Sequence, residues 1–109
     1  MNEQELIAGT VEGTGATLNI NVGFMPSAVK VFNVDGLATL EWNDSMADAS
    51  GVKRVTAGTM TFITTLGITP VDGLGESAGA VEDTVIGFQI GADTDVNVAA
   101  ETINWEAYR

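Results

Sequence analysis

The 109-residue chain contains no cysteine and no histidine, and these two absences exclude much of the usual chemistry of an active site. Without cysteine there is no disulfide, no thiolate nucleophile and no zinc site built on sulfur. Without histidine there is no imidazole base, and neither Ser-His nor Cys-His nucleophile pairs can form. Carboxylates remain, but pairs such as Asp44 with Asp48 and Glu82 with Asp83 are interpreted as parts of a solvated acidic surface. We therefore expect neither an enzyme nor a cofactor.

Basic residues are also scarce, since 4 Lys and Arg stand against 15 Asp and Glu and give a formal net charge of -11. Nucleic-acid binding depends on contacts between Lys or Arg and phosphates, and an anionic membrane repels an acidic surface. Neither is expected as a partner. The start of the chain has no signal-peptide pattern, and no run reaches the roughly 18 apolar residues of a membrane helix. We expect synthesis in a cytoplasm.

What the chain does contain is short alternating stretches separated by glycine, of which there are 13. Alternation of apolar and polar residues is typical of half-buried strands. Asp35-Gly36 predicts a two-residue hairpin turn. Two segments, 43–54 and 66–80, are rich in small, polar or glycine residues and are predicted to be long loops, with Ile68 turned inward. The predicted strands cover residues 7–12, 17–22, 28–34, 37–42, 55–65, 84–90 and 101–108.

These strands predict one all-β domain, a β-sandwich or a small β-barrel of six or seven short antiparallel strands with long glycine-rich loops. We divide the chain into an N-terminal arm, residues 1–8, and a β-sandwich domain, residues 9–109. Trp42 and Trp105 lie in the apolar register of their strands. We therefore expect both in the core or at a subunit interface, rather than exposed as platforms for sugars.

The segment Asp93-Thr94-Asp95-Val96-Asn97 has the spacing of the first ligands in a calcium loop. Asp93, Asp95 and Asn97 are thus weak metal candidates. Such a loop also needs glycine at its sixth position and glutamate at its twelfth, where this chain has Val98 and Asn104. We therefore expect no metal, and interpret the segment as a turn whose side chains accept backbone N–H groups.

A resemblance that extends over most of residues 9–109 is carried by six phrases: Gly9-Thr10, Gly23–Val31, Glu41–Asn43, Met46–Gly51, Ile63–Thr69 and Gly87–Val98. They are similar to phrases in small structural proteins of tailed bacteriophage virions. Within that group the chain looks most like a head decoration, or cement, protein. The resemblance implies a β-rich, non-enzymatic protein, made in the host cytoplasm, that binds the major capsid protein on the outer surface of the head. It implies no catalytic residue.

For that role we predict contacts through the arm and through the 43–54 loop, because both are non-periodic and flank the core. We also expect a homo-oligomer, with a trimer favoured over a dimer. Two alternatives stay open: a tail or appendage component of the virion, and, from a different class, a carbohydrate-binding module. The predicted capsid or subunit interface residues are Glu3, Glu5, Leu6, Ile7, Met46 and Val52.

Overall fold

The structure, a computed structural model, describes residues 6–72 and 86–109. Within these residues eight antiparallel strands form one sheet, which confirms the predicted all-β class. The described residues contain no helix long and apolar enough to cross a membrane. The strands are β1 (Leu6–Glu12), β2 (Leu18–Asn21), β3 (Ala28–Asn33), β4 (Ala38–Asn43), β5 (Ser50–Arg54), β6 (Met60–Asp72), β7 (Ile86–Ile90) and β8 (Thr102–Tyr108).

The strand order is β1-β8-β3-β4-β5-β6-β7-β2, so β1 and β2 form the two edges of the sheet. The sheet is curled into a half-barrel. The rings of Phe88 on β7 and Trp105 on β8 meet edge to face with centroids 5.7 Å apart, although four strands separate β7 from β8 in the sheet. This contact requires the sheet to fold back on itself. The fully buried apolar side chains it encloses are Val29, Val31, Leu40, Ile68, Phe88, Ile90, Val96, Ile103 and Ala107.

A bulge between β5 and β6 accompanies this bend. Gly51 pairs with Ile63, but the preceding Ser50 pairs with Ile68, so four extra residues of β6 are inserted at one step of β5. A β-carbon on Gly67, inside the insertion, would overlap the carbonyl oxygen of Ser50. Bulges bend a strand and increase its local twist. β6 thereby leaves β5 and continues alongside β7.

The strands predicted at 7–12, 17–22, 28–34 and 101–108 are confirmed as β1, β2, β3 and β8. The strand predicted at 84–90 is confirmed as β7 over its last five residues, and residues 84 and 85 lie outside the described residues. In β2 the alternation is visible in the burial of its side chains: Ile20 is buried while its two neighbours are exposed. A strand with one face on the core and one in solvent produces this pattern. Eight strands form rather than six or seven.

The prediction of a loop over residues 43–54 is wrong for its second half. Residues 50–54 form β5, which pairs with β4 on one side and β6 on the other. Glycine and lysine have little intrinsic preference for strands, but pairing with neighbouring strands overrides such preferences. The strand predicted over 55–65 begins only at Met60, because the residues before it form a turn in which Gly58 has a φ of 86°.

The prediction of a loop over residues 66–80 is also wrong where it can be compared. Residues 66–72 belong to β6, and the remainder of the segment lies outside the described residues. Pro70 is compatible with the strand because β5 no longer lies beside it, and among the described residues no other strand pairs with that side of β6. Ile68 is fully buried, as predicted.

β3 and β4 form the predicted hairpin, but its loop has four residues rather than two, since Asn33 pairs with Ala38. The buried side chain of Asn33 determines the turn. Its Oδ1 accepts hydrogen bonds from the N–H groups of Asp35 (3.0 Å) and Gly36 (2.8 Å). The residue of this turn with a left-handed backbone conformation is Leu37, with a φ of 58°, rather than Gly36. The Asp-Gly signal therefore locates the turn without fixing its length.

The boundary of the predicted N-terminal arm needs correction. Of residues 1–8, the last three lie in β1, which pairs with β8 along its whole length, and the first five lie outside the described residues. Ile7 packs against the core. A β-carbon on Gly9 would come within 2.6 Å of the buried ring of Trp105, so glycine permits close contact between the edge strand and the core. The sheet therefore includes residues that we had assigned to the arm.

Phe88→Ala is expected to lower the free energy of unfolding by about 3–5 kcal/mol, because it removes a fully buried ring and leaves a cavity beside Trp105. The matched control is Phe62→Ala, the same change at a side chain that is 57% exposed, with an expected loss of at most about 0.5 kcal/mol. Urea unfolding followed by tryptophan fluorescence measures both. Equal losses would contradict the placement of the two rings.

Candidate interaction surface

The strands direct alternate side chains to the outer side of the curled sheet. The registers of neighbouring strands define one continuous row across six of them. The row starts with a small residue on the β1 edge, passes through charges of alternating sign and ends in apolar residues on β5 and β6. In order, its members are Ala8, Glu106, Lys30, Glu41, Val52 and Phe62.

β5 and the first part of β6 form a hairpin whose outer side is largely apolar. We call this side, made of Val52, Arg54, Met60 and Phe62, the hairpin face. Val52 pairs with Phe62, and Arg54 pairs with Met60. Met60 is 58% exposed and Phe62 57%. Large apolar side chains exposed side by side in this way are typical of interaction sites.

The bulge explains why this hairpin stands clear of the core. β6 pairs with β7 only from Ile68 onward, so, within the described part of the chain, residues 60–63 have a neighbouring strand on one side only. The turn that joins the two strands is closed by two backbone hydrogen bonds. The N–H of Gly58 donates to the carbonyl of Val55 (2.7 Å), and the N–H of Val55 donates to the carbonyl of Thr59 (3.2 Å). The hairpin is therefore a defined surface feature.

The hairpin face contains no carboxylate, although the chain is strongly acidic. Its charge is that of Arg54, whose Nη2 lies 3.7 Å from the Sδ of Met60. Along the row, the next carboxylate is Glu41 on β4. With a formal net charge of -11, the rest of the surface repels other acidic surfaces. Close contact with an acidic partner therefore meets less electrostatic opposition at the hairpin face.

On the core side of β5, Lys53 reaches segment 93–97, which has the spacing of the first ligands in a calcium loop. Its Nζ lies 2.9 Å from Oδ2 of Asp93 and 2.8 Å from Oδ2 of Asp95. The other oxygen of the buried Asp93 accepts the N–H groups of Asp95 and Val96. The predicted capping of backbone N–H groups is thus present, in a turn where Asp93 is buried and Asp95 is exposed. The two carboxylates already share a cation, the lysine ammonium.

Asn97, the third residue of the motif, is engaged elsewhere. It is buried, and its Oδ1 accepts the N–H groups of Thr14 (3.0 Å) and Gly15 (3.3 Å). Its Nδ2 donates to the carbonyls of Ala16 (2.7 Å) and Gly91 (3.0 Å). The side chain thereby joins the β1–β2 connection to the β7–β8 connection. The structure brings the two aspartates of the motif together and gives the asparagine a separate structural role.

Burial lowers the pKa of Lys53, but the hydrogen bonds and negative charges of Asp95 and Asp93 outweigh this effect, and the pKa is raised above its usual 10.5. The group therefore stays charged at neutral pH. A lysine that acts as a nucleophile or base needs the opposite shift. The Lys53–Asp93–Asp95 cluster is therefore a structural clamp that fastens the connection between β7 and β8 to β5.

Both tryptophans are in the core, as predicted. Trp42 is buried, and its Nε1 donates to the carbonyl of Ala47 (3.1 Å). Trp105 is buried against Phe88. Sugar-stacking platforms need an exposed ring face, and neither tryptophan offers one.

A shallow groove of about 430 Å³ crosses β1, β8 and β3 on the outer side of the sheet. Its polar groups are partly engaged by the protein itself. The hydroxyl of Thr10 donates to Oδ1 of Asn104 (3.2 Å), and the hydroxyl of Tyr108, next to the groove, donates to Oε1 of Glu106 (2.9 Å). The second contact raises the pKa of Tyr108. The groove lacks the enclosure typical of a catalytic pocket.

The predicted interface residues lie in different surroundings. Val52 is on the hairpin face, and Leu6, on the edge strand, is 50% exposed. Ile7 and Met46 are half-buried and pack against the core, so much of their apolar surface is already covered. The structure does not bring these four residues together in one patch.

Glu3 and Glu5 lie outside the described residues. Met60 and Phe62, the exposed apolar members of the hairpin face, were missed as interface residues because their segment has the pattern of an ordinary strand. One signal was available. Met60 and Phe62 stand two residues apart, so they share one face of the strand and make it apolar.

Lys53→Met is expected to lower the free energy of unfolding by about 3 kcal/mol at pH 7, because it leaves the buried carboxylate of Asp93 without its cation. The matched control is Lys30→Met on the outer side of the sheet, where Nζ lies 5.8 Å from the ring centroid of Tyr108. Loss of that exposed cation–π contact should cost at most about 1 kcal/mol. Urea unfolding of both variants tests the clamp, and equal losses would refute it.

The clamp also predicts a dependence on alkaline pH. Because folding raises the pKa of Lys53 above 10.5, its contribution is fully present below that pH and is lost as the pH rises through the folded-state value. Tyr108, whose pKa is raised above 10.0, acts in the same direction. We therefore measure unfolding in a Tyr108→Phe background, where Lys53→Arg should flatten the alkaline decline because its guanidinium stays charged. An unchanged decline would contradict the assignment to Lys53.

Comparison with known proteins does not assign the chain to a family: no family model, no curated protein and no solved structure matches it. No residue role is therefore carried over from a relative. The surface that distinguishes the described part of the molecule is the hairpin face, an apolar and carboxylate-free patch on an acidic chain.

Proposed function

We propose that the chain is a non-enzymatic structural protein of a tailed-phage virion, a capsid decoration protein that binds the outer surface of the major capsid protein lattice and stabilises the head. Two lines of reasoning support the proposal. Its sequence phrases resemble those of small virion proteins, and two of its exposed apolar side chains, Met60 and Phe62, lie on the same side of one hairpin. The hairpin face is the observation that carries the proposal, because it supplies a surface suited to docking on another protein.

An exposed hairpin of this kind can bind in the seam, the groove where two neighbouring capsid subunits meet. In the part of the chain that the structure describes, residues 60–63 have a strand on one side only, which leaves the other side to lie against a second surface. A protein held in a seam contacts two subunits at once and binds the assembled shell better than free subunits. Binding of this kind stabilises the closed shell by mass action. Many identical copies then add their small contributions.

The charge distribution fits the same role. A formal net charge of -11 opposes close approach between copies of the chain that are free in solution. On the hairpin face, by contrast, Arg54 is the charged member and Met60 and Phe62 supply the apolar contact. Docking through this face buries apolar surface while the acidic surface stays in water. Apolar contact then supplies the affinity, and charge discourages non-specific association.

A tail or appendage component is the second candidate, because the same hairpin face would serve a smaller assembly in the same way. Copy number separates the two, since a decoration protein repeats over the shell and most tail components are present in few copies. The carbohydrate-binding alternative is disfavoured by the burial of Trp42 and Trp105, the side chains on which it depended.

The test compares one substitution at two exposed methionines. Met60→Ser, on the hairpin face, is expected to lower the affinity for the shell about tenfold, because burying a methionine side chain contributes about 1.5–3 kcal/mol. Met25→Ser is the matched control, at a methionine that is 48% exposed and lies off the hairpin face. Both changes affect exposed side chains and are expected to leave the fold intact.

Quantitative mass spectrometry of purified virions gives the number of copies per particle, and release of packaged DNA on heating gives the stability of the head. We expect fewer copies and earlier release with Met60→Ser than with Met25→Ser. Absence of the wild-type chain from purified virions would refute the virion role. Equal occupancy of the two variants on particles would refute docking through the hairpin face.

A further inference from the structure

β1 is a free edge of the sheet, and it lacks the features that normally protect edge strands from pairing. Its seven residues stay in unbroken register with β8, so no bulge interrupts them. It contains neither proline nor lysine, and its charge is that of Glu12 at its end. The opposite edge, β2, has four residues, and short edges are poor templates for pairing. Within the described ranges, no strand covers the outer edge of β1.

The backbone groups that point to this free edge can be identified. The N–H of Gly13 donates to the carbonyl of Glu101 (2.8 Å), in the register set by the preceding pair, Glu12 with Thr102. Backbone groups alternate between the two sides of a strand, so the odd-numbered residues of β1 bond to β8. The N–H and C=O groups that face the free edge therefore belong to the even-numbered residues, Leu6, Ala8, Thr10 and Glu12.

We infer that β1 pairs antiparallel with β1 of a second copy of the chain, around a twofold axis at Gly9. In this register Ala8 lies opposite Thr10 of the second chain, and Leu6 lies opposite Glu12. These are the residues whose backbone groups face the free edge, so each pair exchanges hydrogen bonds. Moving the axis by one residue in either direction shortens the paired segment. The register centred on Gly9 uses the whole strand.

The side chains of β1 match this pairing. On the core side, Ile7 of one chain lies opposite Val11 of the other, and both are only half-buried against the core in the single chain. Pairing continues the apolar side of one sheet into that of the next. On the outer side the small residues Ala8 and Thr10 meet next to the axis, and the larger pair, Leu6 with Glu12, lies at each end of the paired strands. The strand is therefore complementary to itself.

The charges permit two copies to approach along this edge despite the formal net charge of -11. Residues 6–11 carry no charge. The two Glu12 carboxylates lie at opposite ends of the paired strands, about 20 Å apart for six residues of extended chain. That separation exceeds the Debye length of about 8 Å at physiological ionic strength. Raising the salt concentration should therefore strengthen the association, by screening the acidic remainder of each chain.

Pairing around a twofold axis closes at two chains, so it favours the dimer over the trimer. An interface built on seven residues per chain is smaller than the roughly 20–30 residues per side of a standard interface. The dimer is therefore expected to depend on protein concentration. The inference concerns the chain alone and does not rest on the virion role.

Hydrogen exchange of the full chain tests the pairing without any substitution. On raising the concentration through the monomer–dimer transition, located by analytical ultracentrifugation, exchange at the amides of Ala8 and Thr10 should slow at least tenfold. The amides of Ile7 and Gly9 bond to β8 in both states, so their protection should change much less. A chain that stays monomeric at millimolar concentration, or dimerises without this difference between even and odd residues, would overturn the inference.

Ala8→Pro provides a second test, with Ala8→Ser as its matched control. The proline removes an N–H that points to the free edge, so the bonds to β8 are kept. The serine variant keeps the N–H at this exposed position. We expect the proline variant to remain monomeric at concentrations where the wild-type chain and the serine variant dimerise. A folded proline variant that dimerises as the wild type does would overturn the inference; if it fails to fold, the exchange pattern of the wild-type chain decides.

Discussion

The bulge between β5 and β6 is the constraint on which the rest of the structure depends. The step from Ser50–Ile68 to Gly51–Ile63 gives β6 two neighbours in succession, first β5 and then β7. Because the strand changes partners, the sheet can turn back on itself, and Phe88 meets Trp105 across the core. The same change leaves the first part of β6 outside the core, where Met60 and Phe62 stay exposed. The core and the exposed hairpin face thus have a common origin.

A half-barrel needs its open end closed, and here polar groups help to close it. The connection between β7 and β8 is held to β5 by the ammonium of Lys53, and to the β1–β2 connection by the amide of Asn97. Buried polar groups stabilise a fold only when their partners are complete, and the buried side-chain nitrogens and oxygens of the described residues all have partners. The acidic motif that resembles a calcium loop is therefore better explained as part of this closure.

Period-two alternation predicts a strand from sequence when its two faces meet different surroundings, as for β2 and β8. Alternation fails to predict β5, because that strand is formed by pairing with strands that are distant in sequence. It predicts that a strand exists in the region of β6, but it predicts neither the bounds of that strand nor its bulge. Nothing near Ser50 in the chain indicates that Ile68 will lie beside it. The candidate sites divide in the same way. Asp93 was correctly interpreted as a side chain that binds backbone N–H groups, because that contact is local, whereas its partner Lys53 is forty residues away.

The hairpin face and the β1 edge are compatible with each other because the sheet keeps them apart. β8, β3 and β4 lie between β1 and β5, which at about 4.8 Å per strand separates the two features by about 20 Å. A dimer paired through β1 therefore leaves the hairpin face of each chain uncovered. A dimer that presents two hairpin faces binds a repeating protein lattice more strongly than a single face does, provided that the distance between the faces matches the spacing of the lattice. The proposed edge pairing would thus turn a small apolar patch into a bivalent contact and leave the acidic surface of each chain in solvent.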